Sequence, residues 1–166
     1  ILSGIIANEK RTMSDEQTIE FLKKAKVAHV ATVDQDGYPY VIPLIYYFNG
    51  KDKVYLHTGN LRQSHFVENI IHNPKVSIEV SEMGDIHPGK KYACQSALVY
   101  ASVVLFGQIK KIDDDAKKEW FFDRLLEKYG NPEWNFEKGY PALPKIDLFE
   151  VQIEKMTGKL NKGFRH

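Results

Sequence analysis

The sequence predicts a mostly β domain with peripheral helices: a small antiparallel barrel, closed or split, of six strands, with three helices at its connections. Three observations carry this. Apolar and β-branched residues gather in six short runs with strand-like periodicity. The first three runs follow one another through turn-forming residues, so the strand-helix alternation of a doubly wound sheet is missing. Between and after them, three segments carry helix start and stop signals. At 166 residues, the chain suits one domain and needs no covalent staples to hold a core.

Taken in order, Ser14-Asp15-Glu16-Gln17 reads as a capping box, and Ile19, Leu22 and Ala25 follow at helical spacing, predicting a helix over 15–26. Val27 to Val33 is the first strand, closed by the turn residues Asp34-Gln35-Asp36-Gly37. Tyr40 to Phe48 is the second, and Pro43 within it demands an edge or a bulge. Asn49-Gly50 signals a hairpin into the third strand, Val54 to Thr58. Asn60 is the expected cap of a second helix, with Gln63 completing the box and Phe66, Val67, Ile70 and Ile71 on its apolar side. Asn73-Pro74 stops it, and Lys75 to Val80 alternates as the fourth strand.

Residues 81–92 read as a polar loop. Ala97 to Ile112 is long, β-branched and interrupted only by Gly107, which suggests a strand bent at a barrel corner. Asp113-Asp114-Asp115 puts negative charge at the start of a third helix that ends at Tyr129 before Gly130. Residues 131–145, rich in aromatics and Pro, either shape a pocket or lid over the site or simply pack on the barrel, with packing the expected outcome. Ile146 to Glu154 is the last strand. The expected organisation is a tail over 1–13, one domain over 14–160 and a tail over 161–166.

Composition narrows the function classes. Lys plus Arg number 23 against 22 Asp plus Glu, a net charge of +1, so no global field draws nucleic acid or an anionic membrane. No apolar run reaches the ~18–20 residues that span a bilayer, and Ile1 to Ile6 is too short for a signal-peptide core. The single cysteine, Cys94, excludes an intramolecular disulfide framework and a thiolate metal cluster, and the expected compartment is the cytoplasm. The six histidines bring no carboxylate or thiolate partners at ligand spacing, so no metal site is expected. Gly84 to Lys91 approaches a P-loop, but Lys91 stands where the magnesium-holding hydroxyl belongs and a β-rich run follows.

The segment from His57 to Ser64 is more informative. It joins a strand end to a helix start, where free amides and the helix dipole favour an anion. Arg62 offers a bidentate fork and Thr58 and Ser64 offer hydroxyl donors, a set sized for one phosphate. The same residues also read as an ordinary capped helix with Arg62 in solvent.

Several ordered pieces then give the chain a family resemblance: Ala31 to Pro39, Val41 to Tyr47, Val54 to Thr58, Arg62-Gln63-Ser64, Asn73 to Ser77, Tyr100 to Gly107 and Met156 to Lys159. In this order they resemble the FMN-binding split-barrel superfamily of pyridoxamine 5′-phosphate oxidase, and within it the nitroimidazole-reductase-like flavin proteins. The resemblance implies a six-stranded antiparallel split barrel that forms a homodimer with FMN at the interface. It implies backbone contacts to the flavin ring from Val41, Ile42, Pro43 and Leu44, with His57 and Thr58 beside the cofactor. Arg62, Gln63 and Ser64 match the phosphate-binding turn, and Ser102 and Val103 match the strand sent toward the ring by the other subunit.

The implied activity is that of a flavin-dependent oxidoreductase with a small-molecule electron donor and acceptor, nitroreductase-like or related to pyridoxamine phosphate oxidase. The alternative is a non-catalytic flavin- or haem-binding module. No catalytic acid or base is assigned, and His57 is the one candidate proton donor near the ring. The chain departs from the family pattern at Ala101, where Arg is usual, and at Arg62-Gln63, where Gly-x-Lys is frequent. Phe164-Arg165-His166 does not reproduce the C-terminal Arg-x-His substrate motif.

Overall fold

In the computed structural model, which describes residues 6–161, alternating apolar residues build seven strands. They are β1 (Ala28–Val33), β2 (Pro39–Leu44), β3 (Tyr46–Phe48), β4 (Lys53–Gly59), β5 (Lys75–His87), β6 (Ala97–Ile112) and β7 (Ile146–Leu160). All pair antiparallel in one sheet of order β2-β1-β5-β6-β7-β4-β3. Three helices decorate it: α1 (Asp15–Lys24), α2 (His65–His72) and α3 (Asp115–Tyr129). Phe164, Arg165 and His166 lie outside the described residues.

The expected six-stranded barrel is corrected in two respects. There are seven strands, and no ladder joins β2 to β3 among the described residues, so the sheet is not closed by hydrogen bonds. Both differences arise at Ile45, where the expected second strand breaks in two. The hydroxyl of Tyr129, from the end of α3, takes the place of a strand partner there. It accepts from the Tyr46 amide at 3.1 Å and lies 2.9 Å from the Tyr46 carbonyl and 2.8 Å from that of Lys26. Consequently β2 and β3 are the opposite borders of the sheet although one residue separates them in the chain. Pro43 sits on that border, where its missing N–H costs no ladder bond.

Other boundaries also move. The expected loop over 81–92 begins as strand, because β5 keeps pairing with β6 to His87↔Ala97. The last strand runs on to Leu160, paired with the first half of β6. Gly107 stands at the register shift between Phe106 and Gly107, where a Cβ would run into the Gln152 carbonyl.

The main core lies on the concave side of the sheet, where Val30, Leu56, Ile78, Val103, Leu105, Phe149 and Val151 meet Phe21 and Leu22 of α1 and Phe66 of α2. Each fully buried side chain of this size contributes ~1.5–3 kcal/mol by leaving water. The Ser14–Gln17 capping box starts α1 as expected, with Ser14 Oγ accepting from the Gln17 amide at 3.2 Å. A smaller core of Tyr55, Phe121, Leu125 and Leu148 fixes α3 on the opposite face of β4 and β7. No helix among the described residues is long and apolar enough to cross a membrane.

Candidate functional site

Strand β4 delivers the first two residues of the site. Its side chains alternate, Val54 and Leu56 entering the main core and Tyr55 joining the α3 core. His57 follows Tyr55 to the α3 side, where its ring lies 5.5 Å from that of Phe121 and 5.3 Å from that of Phe122. Burial among these rings pushes its pKa below the ordinary histidine value, which keeps the imidazole uncharged at neutral pH. Thr58 follows Leu56 to the other side by the same alternation. Both end in a buried polar atom with no hydrogen-bond partner among the described residues, His57 Nδ1 and Thr58 Oγ1. Native proteins rarely leave such atoms unpaired, and an orphan of this kind costs ~1–3 kcal/mol.

The connection to α2 completes the cluster. Asn60 does not cap the helix, in contrast to the expectation. Its amide donates to the Lys145 carbonyl at 3.0 Å and its side chain donates to the Pro144 carbonyl at 3.0 Å, tying the connection to the start of β7. The cap is Ser64, whose Oγ accepts from the Val67 amide at 3.3 Å and still has its proton to donate. Leu61, Arg62 and Gln63 between them are exposed, with Arg62 and Gln63 on the rim of a cleft of about 490 Å³. The far wall of that cleft carries Lys111 and Asp147, paired at 2.9 Å, and Phe149. Sheet register alone brings these three there, so local sequence reading had no signal for them.

The remaining expected residues occupy two other strands. On β2, Ile42 and Leu44 pack on the main core while Val41 and Pro43 face outward, and the outer edge of the strand has no ladder partner among the described residues. Backbone groups along that edge are therefore free to bond a ligand. On β6, Ser102 is half-buried on the outer face, whereas the Val103 side chain is fully enclosed in the core of its own chain. Val103 can thus offer another molecule only its backbone. Ala101 is also fully buried, so the charged Arg of the family pattern would have to be desolvated at this position.

The structure therefore places His57, Thr58, Arg62, Gln63 and Ser64 along one strand-to-helix connection but divides them between two faces: His57 turns to the α3 core, and Thr58 shares the side of the Arg62–Ser64 turn. It sets Val41–Leu44 on a free edge and Ser102–Val103 on a separate strand. Residues 134 and 136–141 line a larger concavity against α3, the outcome that the sequence ranked second to simple packing on the barrel.

Among solved structures, the fold is shared with a candidate 5-nitroimidazole antibiotic resistance protein from Bacteroides thetaiotaomicron: 26% identity, TM-score 0.72, covering 89% of this chain and 85% of that one. It is also shared with the flavocytochrome Anf3 from Azotobacter vinelandii, at 19% identity and TM-score 0.79, over 96% of this chain and 73% of that one. The FAD and haem binding protein from Mycobacterium smegmatis aligns at 22% identity and TM-score 0.74, over 95% of this chain and 76% of that one. No curated protein matches the chain significantly. The sequence model of the pyridoxamine 5′-phosphate oxidase family matches residues 14–160, nearly the whole described chain, and the protein belongs to that family.

Proposed function

We propose that the chain binds FMN, that two copies form a homodimer with the flavin between them, and that the assembly is a flavin-dependent oxidoreductase acting on a small molecule. The observation that carries this reading is the orphaned Thr58 Oγ1, at the strand end that leads into Arg62, Gln63 and Ser64. It is the kind of group a bound polar ligand satisfies. FMN supplies the redox chemistry, and the protein supplies binding, orientation and electrostatics.

The residues divide that work. The Arg62 guanidinium offers the phosphate a two-pronged, charge-assisted contact, Thr58 and Ser64 each offer a hydroxyl proton, and Gln63 a side-chain amide. The free edge of Val41, Ile42, Pro43 and Leu44 presents backbone groups to the polar rim of the ring. Ser102 and Val103 of the second copy complete the enclosure. His57, held neutral by burial, carries one ring N–H and is the candidate proton donor. A lone exposed cysteine suits a cytoplasmic setting.

A haem-binding role has less support. His57 is wedged against Phe121 and Phe122, and His65 lies against Tyr40 with ring centroids 4.6 Å apart. Neither lines the cavity of about 930 Å³ between α3 and residues 134–141.

The test is a flavin absorption spectrum of the purified protein with mass identification of the released ligand. It is joined to a measurement of the oligomeric state and a screen of electron acceptors that includes nitro compounds. Yellow, dimeric protein releasing FMN is expected. Protein that stays colourless after incubation with FMN refutes the reading, and release of FAD instead corrects the cofactor.

A further inference from the structure

Helix α3 and the segment after it enclose a concavity of about 930 Å³ that the phosphate cluster does not use. Its lining includes the stacked pair Phe122–Tyr140, ring centroids 5.5 Å apart with 29° between planes. It also includes Trp134 against Phe136, edge to face at 6.0 Å. Leu126 of α3 and Ile45, the residue between β2 and β3, add to the apolar lining. Tyr140 donates to Asp123 at 2.6 Å, which fastens the segment to the helix.

These walls are built of side chains that folding normally hides. Trp134 is 53% exposed, Phe136 62%, Ile45 41% and Leu126 40%, all around one concavity. Contiguous apolar exposure of this kind marks a binding site, and the volume falls in the ~300–1,000 Å³ range of small-molecule pockets. The two ring pairs in one lining favour a flat occupant that stacks on them. The charged lining is Asp123 and Glu137 against Lys138, which disfavours an anion.

From these features we infer that the concavity is a binding site for a planar aromatic or heteroaromatic small molecule, neutral or cationic. Ile45 sets the site at the end of the β2 edge. That the occupant exchanges electrons with a flavin on that edge rests on the function proposed above; the binding itself does not.

The experiment titrates 1-aminoanthracene, a neutral fluorescent probe, into the full-length chain with and without added FMN. Competition with 1-naphthylamine and 1-naphthoate follows. Saturable enhancement is expected whether or not flavin is present, with the amine competing at least about tenfold better than the carboxylate. The double substitution Trp134→Ala/Phe136→Ala weakens probe binding at least about tenfold, while Lys23→Ala, outside the concavity, leaves it unchanged. Absence of saturable binding overturns the inference. So does a double variant that binds the probe like the wild type, including one that merely changes the oligomeric state, which assigns the face to contact between copies. Failure of FMN to bind leaves the probe titration standing, so the two readings fail separately.

Discussion

Replacing Thr58 by Val tests the site more sharply than removing any charged residue. The two side chains share shape and β-branching, so β4 keeps its packing and strand preference. What changes is one oxygen, which is buried and has no hydrogen-bond partner among the described residues. In flavin-free protein that hydroxyl is a cost of ~1–3 kcal/mol, so the Val variant is expected to be more stable by that amount. For a chain of this size each kcal/mol raises Tm by ~2–4 °C. With FMN the sign reverses. Loss of a hydrogen bond to a charged phosphate costs ~1.5–3 kcal/mol, weakening the FMN Kd by ~10–150-fold. Because a ligand stabilises in proportion to the logarithm of its concentration over Kd, the melting temperatures of the two proteins should cross as FMN is added. Calorimetry across an FMN series, with flavin-fluorescence titration for Kd, reads both limbs. A Val variant that melts lower without FMN, or binds FMN as tightly as wild type, refutes the assignment of Thr58 to the cofactor.

Arg62→Ala is expected to weaken FMN by ~1.5–3 kcal/mol while leaving flavin-free stability within ~0.5 kcal/mol, because the side chain is exposed; titration and urea unfolding separate the two. Lys128 makes a pH prediction. Its ammonium lies 3.5 Å from the centre of the Tyr46 ring, and burial pushes its pKa down from 10.5 to about 8. Below that value the lysine is charged in both states and folding carries the full penalty. Between there and 10.5 the unfolded chain binds the extra proton, so wild type gains stability as pH rises. Partial exposure, the Tyr46 ring and the Leu22 carbonyl at 3.4 Å all reduce the effect, leaving a gain of ~1–2 kcal/mol relative to Lys128→Met. Urea unfolding of both proteins from about pH 7 to 9.5, below the range where tyrosines titrate, should show that gain, and parallel curves refute it.

What the sequence made legible was local. The Ser14–Gln17 cap, the hairpin at Asn49-Gly50 and the end of α3 before Gly130 all appear where short-range chemistry put them. The strand-to-helix connection from Thr58 to Arg62–Ser64 was legible for the same reason, since these residues are close in the chain. The split at Ile45 was hidden because its cause, the Tyr129 hydroxyl, comes from 83 residues away. The extensions of β5 and β7 were hidden because Ser81–His87 and Glu154–Lys159 are largely polar, and only pairing with β6 makes them strand. Asn60 was misread as a cap because its real partners, Pro144 and Lys145, are likewise distant. The aromatic concavity combines both problems: its residues were visible as a group, but whether they face inward or outward depends on how the segment docks on α3.

The break at Ile45 also bears on how the protein avoids sticking to itself. An open sheet exposes two rows of unpaired backbone groups, each a template for stray pairing between molecules. Here the chain passes directly from one border to the other, so the two rims are held at one corner by covalent connection. Register between them cannot drift, because a single residue leaves no slack. A circular permutant opened at Ile45 would keep all six ladders and lose only this tie. Both rims would then be chain ends, free to splay and recruit neighbours. Aggregation of such a permutant, with its β content intact, would identify the corner as the fold's guard against edge-to-edge association.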